Sequence, residues 1–200
     1  MIRAFALALS LTLAGATSTL AQEPAQAIFA GGCFWCVESD FDKVPGVIST
    51  TSGYIGGENE NPTYENHTQY RHREAVLIEF DPARVSYDQL VHSFFRSVNP
   101  LDAGGQFCDR GFSYSTAIYA ADEAQMEQAT AAKAEAAAAL GQDVVTEIVA
   151  APSFWPAEDY HQDYYRKNPL RYTFYRNACG RDQQVREVWG DQALSGISGS

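Results

Sequence analysis

A short apolar run over residues 26–30 ends in Gly31-Gly32 and passes at once into apolar residues at helical spacing, Phe34, Val37, Phe41 and Val44. A buried strand that turns through two glycines into an amphipathic helix belongs to layered folds in which helices cover a sheet. The turn carries Cys33, within Gly31-Gly32-Cys33-Phe34-Trp35-Cys36-Val37-Glu38. A cysteine at a helix N-terminus meets unpaired N–H groups and the positive end of the helix dipole, which favour the nucleophilic thiolate. Cys33 is therefore the first candidate for chemistry.

The rest of the chain alternates strand and helix patterns. Pro45-Gly46 stops the first helix, a β-branched stretch over 47–51 reads as a strand, and Gly53, Gly56 and Gly57 open a long polar loop through Asn61-Pro62-Thr63-Tyr64 to Arg73. Loops of that length in a compact domain usually carry function. Residues 74–80 then alternate, with Glu74, Val76, Ile78 and Phe80 on one face and Ala75, Leu77 and Glu79 on the other. Glu74 has two readings: a strand-end carboxylate in water, which alternation alone favours, or an acid on an aliphatic face whose pKa burial would raise.

Ser86 and Gln89 make a capping-box pattern before a helix face of Tyr87, Leu90, Val91, Phe94, Phe95 and Val98. A glycine-rich loop over 102–111, holding Cys108 and Asp109, leads to a strand over 115–120. Asp122 with Gln125 opens an alanine-rich helix to Leu140, closed by Gly141, and residues 143–150 read as a further strand. Beyond Ala151 the chain is aromatic and aperiodic, interrupted by Pro152, Pro156 and Pro169, and reads as an irregular wrap. Cys179 lies in a segment expected to be flexible from about 176.

Composition narrows the partners. A net charge of -11 and a pI near 4.7 argue against nucleic acid or an anionic membrane, both of which need concentrated basic surface. Arg3, the apolar run 4–13 and Thr19-Leu20-Ala21 form a signal-peptide pattern over residues 1–21, with cleavage expected after Ala21 and export, to a periplasm, as its consequence. Residues 22–200 are then expected to form one domain.

An oxidising compartment would allow Cys33, Cys36, Cys108 and Cys179 to be structural, as Cys33–Cys36 and Cys108–Cys179 bridges in a secreted, disulfide-stapled binding module. The Cys33-Phe34-Trp35-Cys36 spacing also fits a thioredoxin-like oxidoreductase or half a zinc site. Zinc fails on spacing, because Cys108 and Cys179 stand alone and neither His67 nor His72 has a cysteine beside it. The bulky Phe34-Trp35 pair and the absence of a thioredoxin strand order weigh against the redox-motif reading.

The segment 32–38, Gly-Cys-Phe-Trp-Cys-Val-Glu, resembles the active-site motif of the A-type peptide-methionine sulfoxide reductases. Gly53-Tyr54-Ile55-Gly56-Gly57, Asn61-Pro62-Thr63-Tyr64, Glu74-Ala75-Val76, Asp109-Arg110-Gly111 with Tyr114, Ala157-Glu158-Asp159-Tyr160-His161-Gln162 and Lys167-Asn168-Pro169 resemble further blocks of that family, in its order. The resemblance implies an α/β (α+β) two-layer sandwich with a ferredoxin-like core and a mixed sheet, in agreement with the element order above. It implies a monomer without metal or cofactor that reduces methionine-S-sulfoxide, in proteins and free.

In roles, the resemblance makes Cys33 the nucleophile on sulfur and Glu74 the acid that protonates the sulfoxide oxygen. Tyr64 and Tyr114 become phenols that hydrogen-bond that oxygen, Asp109 a supporting carboxylate, and Phe34 and Trp35 walls for the S-methyl group. It makes Cys179 the resolving cysteine, through a Cys33–Cys179 disulfide reopened by a thioredoxin-type reductant. Cys36 stands where the family often has glycine and Cys108 where asparagine is frequent, so both are alternative resolvers. Cys36 ranks last, because a disulfide within a regular helix is strained. With no further C-terminal cysteine, no relay longer than one disulfide is expected.

Overall fold

The computed structural model describes residues 23–197. The expected signal peptide and its cleavage point lie outside them. Eight strands and six helices follow in the order β1 (Ala25–Ala30), α1 (Phe34–Phe41), β2 (Val47–Ile55), β3 (Arg73–Phe80), α2 (Tyr87–Phe95), β4 (Gly105–Gln106), β5 (Asp109–Arg110), β6 (Ala117–Ala120), α3 (Glu123–Leu140), β7 (Glu147–Ala150), β8 (Phe154–Pro156), α4 (Tyr164–Lys167), α5 (Pro169–Ala178) and α6 (Arg181–Trp189).

Six of the strands form one sheet in the order β7-β6-β1-β3-β2-β8. Its centre, β6-β1-β3-β2, is antiparallel throughout and is threaded as β1-α1-β2-β3-α2-β6, which is the ferredoxin-like arrangement. The outer pair β6·β7 is parallel, which makes the sheet mixed, and β8 adds to β2 on the other side. The expected fold class is the one observed.

Burial explains the placement. Phe29, Val76 and Ile78 from the sheet meet Phe41 from α1 and Leu90, Val91, Phe94 and Phe95 from α2 in one core. The α2 cap forms as its sequence dictates: the Ser86 side chain accepts from the Gln89 N–H, and Gln89 returns the bond to the Ser86 N–H at 2.9 Å. In α3, Asp122 caps through the Gln125 N–H and Gly141 closes the helix in the left-handed region, while Ala129, Ala132 and Ala136 let it lie close to its neighbours.

The segment from about 176 differs from expectation. It is helical and anchored rather than loose: the Arg181 guanidinium, 1% exposed, donates to the carbonyls of Gly31 at 3.0 Å and Ser97 at 2.9 Å. Arg176 pairs with Asp40 at 2.8 Å, and the Trp189 indole donates to the Val98 carbonyl at 3.0 Å. Polar residue types hid this because their long apolar stems are buried while their head groups find partners inside. The second strand is also longer than expected and takes Gly53 and Tyr54 into the sheet; at Gly53 a Cβ would fall 2.4 Å from the Trp155 carbonyl oxygen of β8.

Candidate active site

Cys33 stands at the end of the Gly31-Gly32 turn as the N-cap of α1, with non-helical φ -53° and ψ 121°. Gly32 takes φ +86°, and a Cβ there would meet Gln106 at 2.6 Å, so only glycine lets the 105–106 hairpin close over the turn. The first helical N–H, that of Phe34, donates to the Glu74 carboxylate at 3.0 Å. Neighbouring β1 and β3 thus bring the cysteine turn and the acid to one end of the sheet.

Glu74 is 2% exposed. Burial pushes its pKa up to about 8, opposed by the Phe34 N–H and by a hydrogen bond with Tyr114, and the Asp109 carboxylate raises it further. The exposed reading of this strand-end glutamate is therefore excluded. His67 lies 3.7 Å from Glu74, but burial lowers the pKa of its imidazole, so near neutral pH it is an uncharged neighbour. Its ring stacks on Tyr54 and its Nδ1 is bonded to the Tyr64 carbonyl at 2.8 Å.

A small cavity of about 70 Å³ is lined by Cys33, Phe34, Trp35, Tyr64, Glu74, Asp109, Tyr114 and Tyr175. All five expected catalytic residues and both expected pocket walls line it. It is not the largest cavity: one of about 630 Å³ lies between α2 and residues 195–197 and contains no cysteine. At ~30 Å³ for each water-sized group, the small cavity takes a few atoms and not a protein loop.

The walls are braced from behind. The Trp35 indole donates to His161 Nδ1 at 3.0 Å and lies flat on Tyr164, with centroids 3.7 Å apart and planes 7° from parallel. Glu158 accepts from the Tyr54 hydroxyl and from the Tyr64 N–H, both at 2.9 Å, which fixes the loop that presents Tyr64. Tyr175 of α5 closes the cavity, donating to the Asp109 carboxylate and lying within hydrogen-bonding reach of Cys33. His161 and Glu158 were visible in the sequence as parts of a motif block. Tyr175, one aromatic among many in the wrap, carried no signal of its own.

Of the two bridges named in the disulfide-stapled reading, the structure holds the outer one. Cys179 is bonded to Cys108, with Cα atoms 5.0 Å apart, whereas Cys33 and Cys36 are free, buried and hydrogen-bonded to each other. Because Cys33 is the N-cap and not an interior residue, the regular-helix objection to a Cys33–Cys36 bridge does not apply. Burial, then the bond to Cys36, holds the Cys33 thiol well above its ordinary pKa. The hydrogen bond from Cys33, with help from Arg181 and Arg176, lowers Cys36. The first helical N–H thus serves the Glu74 carboxyl rather than a Cys33 thiolate.

Among the described residues one group of three possible metal ligands converges, Cys108, Asp109 and Cys179, and its two sulfurs are already bonded to each other.

A ferredoxin-like sheet that places a cysteine pair, a buried protonated acid and two phenols around a cavity for a few atoms defines a thiol-dependent oxidoreductase acting on a small polar oxygen. Residues 25–193 match the family model described as peptide methionine sulfoxide reductase. A relative from Rhizobium meliloti, "Peptide methionine sulfoxide reductase MsrA 2", is 58% identical over 89% of this chain and 90% of its own. The methionine sulfoxide reductase A of Corynebacterium diphtheriae superposes with a TM-score of 0.65 at 33% identity, covering 76% of this chain and 79% of that one. Reduced Mxr1 from Saccharomyces cerevisiae does so with 0.68 at 25% identity, covering 73% and 86%. The chain belongs to the peptide methionine sulfoxide reductase family.

Proposed function

We propose that the protein reduces methionine-S-sulfoxide to methionine, in oxidised proteins and as the free amino acid. The observation that carries this reading is Glu74: a carboxyl protonated near neutral pH, hydrogen-bonded to the helix that begins beside Cys33 and facing the same cavity. A sulfoxide oxygen leaves only when protonated, so acid and nucleophile must converge on the two ends of one S–O bond.

The arrangement supports the following course. Phe34 and Trp35 receive the methyl group, and Tyr114 and Tyr64 aim hydroxyls at the oxygen. Cys33 loses its proton and attacks the sulfoxide sulfur while Glu74 donates to the oxygen. The oxygen takes a second proton and leaves as water, so that Cys33 is joined to a sulfonium; a water then attacks the Cys33 sulfur, methionine leaves, one proton returns to Glu74, and Cys33 carries a sulfenic acid. Cys36, already against Cys33, attacks that sulfur and expels water, giving Cys33–Cys36. Cys36 therefore replaces Cys179 as resolver, because adjacency decides which thiol reaches a sulfenic acid first. Asp109, tied to Tyr175, holds the cavity's outer wall.

A protein dithiol of the thioredoxin type restores the thiols, and the enzyme acts as a monomer. Export through residues 1–21 belongs to the same proposal, supported by the basic start, the apolar run and the small-residue site of that segment. Its check is the mature N-terminus of the expressed protein, expected at Gln22.

Stereochemistry tests the activity. With dithiothreitol and a peptide carrying both sulfoxide epimers, the S epimer should disappear and the R epimer persist on chiral separation. Loss of neither, or of R alone, contradicts the proposal.

A further inference from the structure

Two protons must reach the sulfoxide oxygen before it leaves as water, and Glu74 carries one of them. Once substrate fills a cavity of about 70 Å³, little solvent remains beside the carboxyl to supply the other. Burial holds the phenols of Tyr64, Tyr114 and Tyr175 in its wall above their ordinary pKa, and Asp109 is engaged by the Tyr175 hydroxyl. Behind Glu74, outside the cavity lining, stands His67, 2% exposed, with Nε2 3.7 Å from Glu74 Oε1. The Tyr64 carbonyl, 2.8 Å from Nδ1, can only accept, so it holds the ring proton there and leaves the Nε2 lone pair free toward Glu74. The same Nε2 accepts from the Thr68 hydroxyl at 3.2 Å, and Thr68 is exposed. One imidazole thus joins a sealed carboxyl to the surface.

We infer that His67 refills Glu74 within each turnover, carrying a proton from the solvent side of Thr68 to the carboxylate that has just given its own to the sulfoxide. This rests on the proposed reductase activity and adds the source of its second proton. At rest the ring is neutral. When Glu74 gives up its proton, a carboxylate forms beside the imidazole, and Nε2 takes a proton that passes from water through the Thr68 hydroxyl. The Nε2–H bond then breaks, Glu74 Oε1 is protonated again, and that proton goes to the oxygen as it departs as water. The water that next attacks Cys33 returns one proton to Glu74, and the proton Cys33 lost at the outset replaces the one drawn from solvent, so the balance closes without another reactant. A gap of 3.7 Å is of the kind that tightens in a substrate complex. The other groups facing the ring are Tyr54 of β2, stacked with centroids 5.0 Å apart, Tyr64 at 5.7 Å, Tyr114 edge-on at 6.5 Å, and beyond them Glu158, His161 and His72. Among these only Glu158 favours a charged ring through its own charge, and burial outweighs it until Glu74 ionises.

His67→Asn keeps an N–H for the Tyr64 carbonyl and removes Nε2, which separates the proton path from the geometry of the loop. Single turnovers of reduced protein on a methionine-S-sulfoxide peptide are followed over the pH range below the Glu74 pKa of about 8. The wild-type rate should stay flat there. The variant should be slower by roughly 10², the lower end of what general acid–base catalysis contributes, with steady-state KM unchanged. Its rate should also fall as pH rises, because hydronium must then refill Glu74. A wild-type rate and profile in the variant overturns the proposal, and so does a loss that is the same at every pH, which marks a structural role. A second variant covers the case in which asparagine does not fold: His67→Ala should be slowed in the same way and restored in proportion to added imidazole, and failure of imidazole to restore the folded variant overturns the proposal. No methionine from the wild type overturns the reductase reading instead, which keeps the two failures distinct.

Discussion

The backbone N–H of Phe34 donates to the Glu74 carboxylate at 3.0 Å, so the residue next to the nucleophile is fastened to the acid. This bond fixes where the acid stands relative to Cys33 and spends the helix's first donor on the carboxyl. The pKa of Glu74 stays near 8 because that donor only partly offsets complete burial. Nucleophile and acid are thus parts of one rigid turn.

Glu74→Gln keeps an acceptor for Phe34 and removes the proton donor. Activity should fall by roughly 10²–10⁴, the usual contribution of general acid catalysis. In the wild type, the rate should hold below about pH 8 and decline above it as Glu74 ionises. Stability runs the same way: a carboxyl whose folded pKa exceeds its unfolded value of about 4.3 contributes fully below that value and progressively less as pH rises toward the folded one. The variant should therefore gain in melting temperature over the wild type between these limits, measured by thermal scans at several pH values.

Tyr114→Phe removes a hydroxyl bonded to Glu74 and facing the cavity, and Tyr64→Phe one on a ring that is 41% exposed. Both should lower kcat with the fold intact by circular dichroism. The first should cost on the order of 10²-fold, as for one donor to a developing oxyanion, and the second less, because water can replace it.

Trp35→Ala removes the wall stacked on Tyr164. Losing an apolar contact of about 1.5–3 kcal/mol raises KM roughly tenfold to a hundredfold, with a smaller change in kcat. Steady-state kinetics on a methionine sulfoxide peptide separates the two parameters.

The sequence-level reading reached the succession of strands and helices because strand and helix periods, the α2 capping box and the Gly141 stop are local signals, while the ferredoxin-like core came from the resemblance. It reached Cys33, Glu74, Tyr64, Tyr114 and Asp109 as one set only through motif resemblance, since alternation alone left Glu74 in water. The Cys108–Cys179 bridge was named only in the disulfide-stapled reading, and nothing in the sequence singled it out. Which thiols meet depends on where α5 docks, and that is set by Arg176 and Arg181 burying their guanidinium groups beside Asp40. A polar segment with Arg, Asp and Gln gives no periodic sign of such anchoring, and for the same reason Tyr175 was missed.

Cys36→Ser should leave the first turnover intact and block rapid resolution. A sulfenic acid should then accumulate on Cys33, trapped by a dimedone-type reagent at one label per chain and located by peptide mapping. Rapid Cys33–Cys179 formation in this variant would restore Cys179 as the resolver.

The most direct measurement is a single turnover at Cys33. Reduced wild-type protein in excess over a methionine-S-sulfoxide peptide should convert all of it to methionine, and Cys33→Ser, with Cys36, Cys108 and Cys179 reduced and the fold unchanged, should convert none. Conversion by the variant at a rate near that of the wild type would contradict the account, since it would place the nucleophile on another sulfur.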